Sequence, residues 1–117
     1  MASDPEKLSS RAMDAIQRHR DGLLVSMATS WEVALLYKRG RLSLPMPPDQ
    51  FLEKAIVRHG VHEIPFTRAV TLDSVALPEI HRDPLDRVLV AEALLRKCPL
   101  VTGDAAIATY PGISAIW

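Results

Sequence analysis

The chain of 117 residues has a single cysteine, no excess of either charge and no long apolar run, and each shortage removes a class of explanation. One cysteine, Cys98, forms no internal disulfide. It sits beside Pro99 at the end of an apolar stretch and reads as a core residue suited to a reducing compartment. Fourteen basic and fourteen acidic side chains cancel, so there is no global positive field of the kind that coats nucleic acid without selectivity. The longest apolar runs, Val88 to Leu95 and Ile113 to Trp117, fall far short of the roughly 18 residues that cross a bilayer. The start, Met1-Ala2-Ser3-Asp4-Pro5-Glu6-Lys7, is polar where a secretory leader would be basic and then apolar, and a cytoplasmic protein with no membrane anchor is expected. His59, His62 and His81 have no cysteine at zinc-ligand spacing, and no glycine-rich phosphate loop or internal repeat is present.

What is present is 48% hydrophobic and alternates helix with strand. One domain over residues 1–117 is expected. Helical spacing or capping predicts helices over Ser9 to Arg20, Trp31 to Arg39, Asp49 to His59, Thr67 to Ala76, Pro84 to Lys97 and Asp104 to Thr109. Short apolar runs between turn residues, Leu23 to Ser26, Val61 to Pro65, Pro99 to Thr102 and Ile113 to Trp117, predict strands covered on both faces. An α/β fold follows, with a mostly parallel central sheet flanked by helices.

Three acidic residues need explaining. Helix Pro84 to Lys97 is apolar almost all round, yet Asp86 lies in its first turn and must be protonated, paired or cation-bound. Arg87 and the helix dipole are the structural alternative, and Asp83 is explained already as the cap of that helix. Glu32 falls on the face of Leu35, Leu36 and Arg39, where a first-turn Glu facing free backbone N–H groups is the ordinary alternative. Asp104 follows strand Leu100 to Thr102 at the carboxyl end of a parallel sheet, where open α/β sheets build sites, and otherwise serves as an N-cap. Ser26 ends the first strand in an equivalent position. Carboxylates sharing one dry crevice stay ionised together only with a divalent cation, and oxygen donors favour Mg²⁺ or Mn²⁺. Such a centre suits phosphodiester hydrolysis. RNA contact must then be local, with Lys38, Arg39, Arg82 and Arg87 as candidates and ordinary solvated helix ends as the alternative for Lys38 and Arg39.

The strings Val25-Ser26-Met27-Ala28-Thr29-Ser30-Trp31-Glu32, His81-Arg82-Asp83-Pro84-Leu85-Asp86-Arg87 and Leu100-Val101-Thr102-Gly103-Asp104 resemble three blocks of the PIN-domain family, in the order and spacing of its VapC-type toxins. The resemblance implies a PIN-like three-layer sandwich. It also implies that Glu32, Asp86 and Asp104 are three members of an acidic quartet holding Mg²⁺, supported by Ser26 and Thr102. Further implications are an RNA substrate such as tRNA, a cognate antitoxin and a homodimer. The departure is at the start: PIN domains open with an apolar strand ending in aspartate, whereas Ser3 to Ser9 resembles a later segment and Asp4 is in the wrong context to replace that aspartate. The expected fold therefore lacks its first strand. Unpaired central-strand groups would cost on the order of 1–3 kcal/mol each. Either rearranged pairing or exchange with a second copy is expected to fill the gap, or the natural chain begins further upstream. Two functions follow: a metal-dependent endoribonuclease impaired by one lost ligand, or a catalytically silent PIN-like module that binds a partner. A receiver-like doubly wound domain is a third reading, and it lacks the acidic pair after a first strand that would recommend it.

Overall fold

The computed structural model describes residues 9–117. Ser9 caps the first helix, α1 (Ser10–Arg18), its Oγ accepting from Ala12 N–H at 3.1 Å. The helix stops at His19, and a single 3₁₀ turn over Arg20–Gly22 leads into strand β1 (Leu24–Ser26). Helix α2 (Met27–Lys38) begins with no loop at all, four residues before the expected Trp31. The physical reason is that Ser26 is both the last strand residue and the cap, its Oγ accepting from Ala28 N–H at 2.9 Å. Thr29 and Ser30 therefore fall inside the helix.

Helix α3 (Pro48–His59) starts at a proline, where the missing N–H costs nothing, and closes on left-handed Gly60. Strand β2 (His62–Ile64) follows, then α4 (Arg68–Ala76), whose cap is Thr67. Helix α5 (Pro84–Arg96) is capped by Asp83, with Pro84 in the first position. Strand β3 (Leu100–Val101), helix α6 (Ala105–Ala108) and strand β4 (Ala115–Ile116) complete the described residues. Every expected strand is present and shorter than its apolar run.

The strands are parallel, as expected. Among the described residues they form two pairs: β1 with β2 in the register Val25 opposite Glu63, and β3 with β4 in the register Leu100 opposite Ala115. No described strand joins the pairs, and a cleft of about 550 Å³ is lined by β1, by β3 and by Leu89 and Ala93 of α5.

Helix α5 is the hub. Leu85, Val88, Leu89 and Ala91 bury against Ala28 of α2 and Val70 of α4, while Val90 packs with Ile107 and Tyr110. Its apolar surround was legible from the sequence because full burial of a helix demands it. That burial fixes the orientation of the first turn of α5, which carries Asp86.

Candidate active site

Asp86 and Asp104 come from separate elements and meet. Asp86 projects from the first turn of α5 and is buried, at 9% exposure. Asp104 caps α6, its Oδ1 accepting from Ala106 N–H at 2.9 Å, and its own N–H donates to buried Thr102 Oγ1 at 3.1 Å. His81, in the loop before α5, stands between them. Its Nε2 lies 2.9 Å from Asp104 Oδ2 and 3.3 Å from Asp86 Oδ2. Among the described residues, these three form a group whose donor atoms all lie within 4.8 Å of one another. Donor atoms gathered this closely on three side chains could share a single small cation.

The electrostatics of the two aspartates differ. Burial raises the Asp86 carboxyl above its ordinary range, the neighbouring charges of Asp83 and Asp104 raise it further, and His81 opposes them. Burial also pushes Asp104 upward, but the His81 hydrogen bond and the Ala106 N–H outweigh it and leave that carboxyl below its ordinary value. Glu32 is partly buried in the middle of α2. Burial raises its carboxyl, and the charges of Asp86 and Asp83 add to the rise. Glu32 is not within the closely spaced group.

The other residues singled out from the sequence have definite places. Asp83 Oδ1 accepts from Leu85 N–H at 2.9 Å, so its carboxylate is used in capping α5. Ser26 caps α2 and donates its hydroxyl proton to buried Glu92. Arg87, a candidate for RNA, turns its guanidinium to the end of α4 and the loop that precedes α5: it donates to the carbonyls of Val75, Leu77, Pro78 and His81 and approaches Tyr110 Oη. Lys38 and Arg39 are exposed at the end of α2, and Arg82 is exposed on a second cleft shared with Trp31, Phe66 and His81.

Sequence reasoning missed two residues. His81 stood in the sequence as a histidine without zinc-ligand spacing; the signal was local, because a ring two residues ahead of an N-cap can accept from the backbone of that cap, as Asp83 N–H to His81 Nδ1 does here at 3.1 Å. Glu92 was visible as the acid inside the apolar run of α5. Burial raises its carboxyl, and Ser26 and Arg96 oppose the rise.

The PIN-domain family model matches residues 1–113. This chain belongs to the PIN-domain family. Ribonuclease VapC22 of Mycobacterium tuberculosis (strain ATCC 25618 / H37Rv) is 31% identical over 119 aligned positions, which cover 99% of this chain and 89% of that protein. For this PIN domain, no described helix is long and apolar enough to cross a membrane.

Proposed function

We propose that this PIN domain, taking residues 1–117 as one domain, is a divalent-metal-dependent endoribonuclease of the toxin–antitoxin kind. The observation that carries the reading is the meeting of Asp86 and Asp104 about a single His81 Nε2. Asp86 and Asp104 would hold Mg²⁺ or Mn²⁺ through carboxylate oxygens, with Glu32 as third acid of the site. The donor chemistry fits a hard cation, since the charge of Asp104 raises the buried Asp86 carboxyl and a positive charge held between the two would relieve that repulsion. Such an ion, when bound, supplies a more acidic water and neutralises charge developing on a phosphodiester.

The chain's own residues then do the positioning. Thr102 holds the backbone of Asp104, Asp83 fixes the start of α5 and so the aim of Asp86, and Ser26 anchors the helix that bears Glu32. Exposed Arg82 follows His81 in the chain and is a candidate cation to meet a substrate phosphate, with exposed Lys38 and Arg39 at the end of α2 as others. RNA is the substrate class that the resemblance to a ribonuclease supports, and tRNA is one candidate within it. The test is cleavage of a panel of single-stranded and looped RNAs in Mn²⁺. Cleavage is expected from the natural chain and not from Asp86→Asn or Asp104→Asn; equal cleavage by all three would refute the assignment.

A second reading, a PIN-like module that binds a partner without cutting, is favoured by the exposed apolar side chains Trp31, Phe66, Leu72 and Val75. An antitoxin would cover such a patch. A homodimer fits the cleft between β1 and β3, into which a strand from a second copy could pair. No cleavage of any RNA, with tight association to itself or to an apolar helical peptide, would support that reading over the first.

A further inference from the structure

Residue 81 is held by every polar atom it has. Its N–H donates to Tyr110 Oη at 2.9 Å and its C=O accepts from Arg87 Nη1 at 3.2 Å. On the ring, Nδ1 accepts from Asp83 N–H at 3.1 Å, and Nε2 faces the two aspartates. The Nδ1 contact decides the proton's place. A nitrogen that accepts from a backbone N–H carries no hydrogen, so the neutral ring bears its proton on Nε2. Nε2–H then donates to Asp104 Oδ2 and reaches Asp86 Oδ2. A ring in this tautomer has no lone pair aimed at the site. Ligation of a metal by Nε2 would require the proton to move to Nδ1 and the Asp83 contact to break.

We infer that His81 is a positioning residue of the metal centre, a fixed Nε2–H donor that keeps the oxygens of Asp86 and Asp104 converged without itself becoming a ligand. The inference rests on the proposed metal-binding reading of those two aspartates. Without a donor between them, two facing carboxylates from different elements repel, and an ion must first draw them together. With it, their spacing is set beforehand.

Two measurements on the full chain test this. In metal-free protein, long-range ¹H–¹⁵N correlation reports the tautomer of each of the four histidines, with His81 assigned by its loss in His81→Gln. The Nε2–H form is expected, and the Nδ1–H form would overturn the inference while leaving the metal reading intact. Titration calorimetry with Mn²⁺ then compares variants. His81→Ala is expected to weaken binding by about tenfold or more, whereas His81→Gln, whose amide N–H reaches the same place, stays within about threefold of the natural chain. Unchanged or tighter binding in His81→Ala would overturn the role. So would equal loss in both variants, which would make the imidazole itself the donor atom. Failure of the natural chain to bind Mn²⁺, or binding indifferent to Asp86→Asn and Asp104→Asn, would remove the metal reading and this inference together.

Discussion

Replacing Arg87 with methionine keeps most of the side chain's length and removes its fork. The guanidinium spans the loop between α4 and α5, with the bonds to Leu77 O at 2.9 Å and His81 O at 3.2 Å partly buried and those to Pro78 O and Val75 O in contact with solvent. Hydrogen bonds to a charged donor contribute roughly 1.5–3 kcal/mol when shielded, and exposed ones much less. Counting the two shielded bonds and discounting the others gives a loss of about 3 kcal/mol, within a usual stability of roughly 5–15 kcal/mol. The midpoint of thermal unfolding should fall by roughly 10 °C. Arg87→Lys should recover less than half of the loss, because one ammonium cannot serve four carbonyls at different angles. Urea unfolding monitored by far-ultraviolet circular dichroism measures the difference. A loss under about 0.5 kcal/mol for Arg87→Met, or full recovery by lysine, would refute the clamp and return Arg87 to the substrate-facing role that its place in the sequence suggested.

Other perturbations separate the supporting contacts. Ser26→Ala removes the α2 cap and leaves buried Glu92 without its hydroxyl donor, at a cost of about 2–4 kcal/mol by urea unfolding; an effect near zero would mean that Glu92 is hydrated instead. Glu92 has a folded pKa raised by burial above its ordinary 4.5, so the folded chain binds the extra proton and stability falls as pH rises from 4.5 through the folded value. Glu92→Gln escapes that fall and should gain on the natural chain as pH rises above the ordinary 4.5, whereas a pH-independent difference would count against a raised carboxyl. At Gly103 an added Cβ would lie 2.8 Å from Trp117 Cε2, so Gly103→Ala must displace the indole. A shift in tryptophan emission and a loss of about 1–3 kcal/mol are expected, and an unchanged emission spectrum would show that the ring is not packed there.

Capping chemistry made much of the fold legible in the sequence. Ser9, Thr67, Asp83 and Asp104 each announce a helix by accepting from an N–H two or three residues on, and such contacts depend on nothing distant. The start of α2 was hidden because Ser26 serves strand and helix at once, a double use that leaves no turn residues to read. Strand pairing was out of reach for another reason: parallel partners such as Val25 and Glu63 are joined through intervening helices, and nothing local encodes their register. The site divides the same way. Asp86 stood out because an acid in an apolar helix is costly, and Asp104 because of its place after a strand. That they share His81 depends on contacts across 23 positions, and that Glu92 meets Ser26 depends on contacts across 66, so neither could be found by spacing. Arg87 had a misleading neighbour: next to Asp86 it reads as a counter-ion or an RNA contact, and only the path of the preceding loop reveals the carbonyls it serves.

The proposed chemistry turns on whether a hard cation sits between the carboxylates of α5 and α6. Crystals soaked in Mn²⁺ and measured at a wavelength where manganese scatters anomalously locate the ion without reference to activity. The expected result is one strong peak within coordination distance of Asp86 and Asp104 oxygens, on the side facing Glu32 and absent in Asp86→Asn. A peak elsewhere on the molecule, or none at saturating Mn²⁺, would contradict the metal centre.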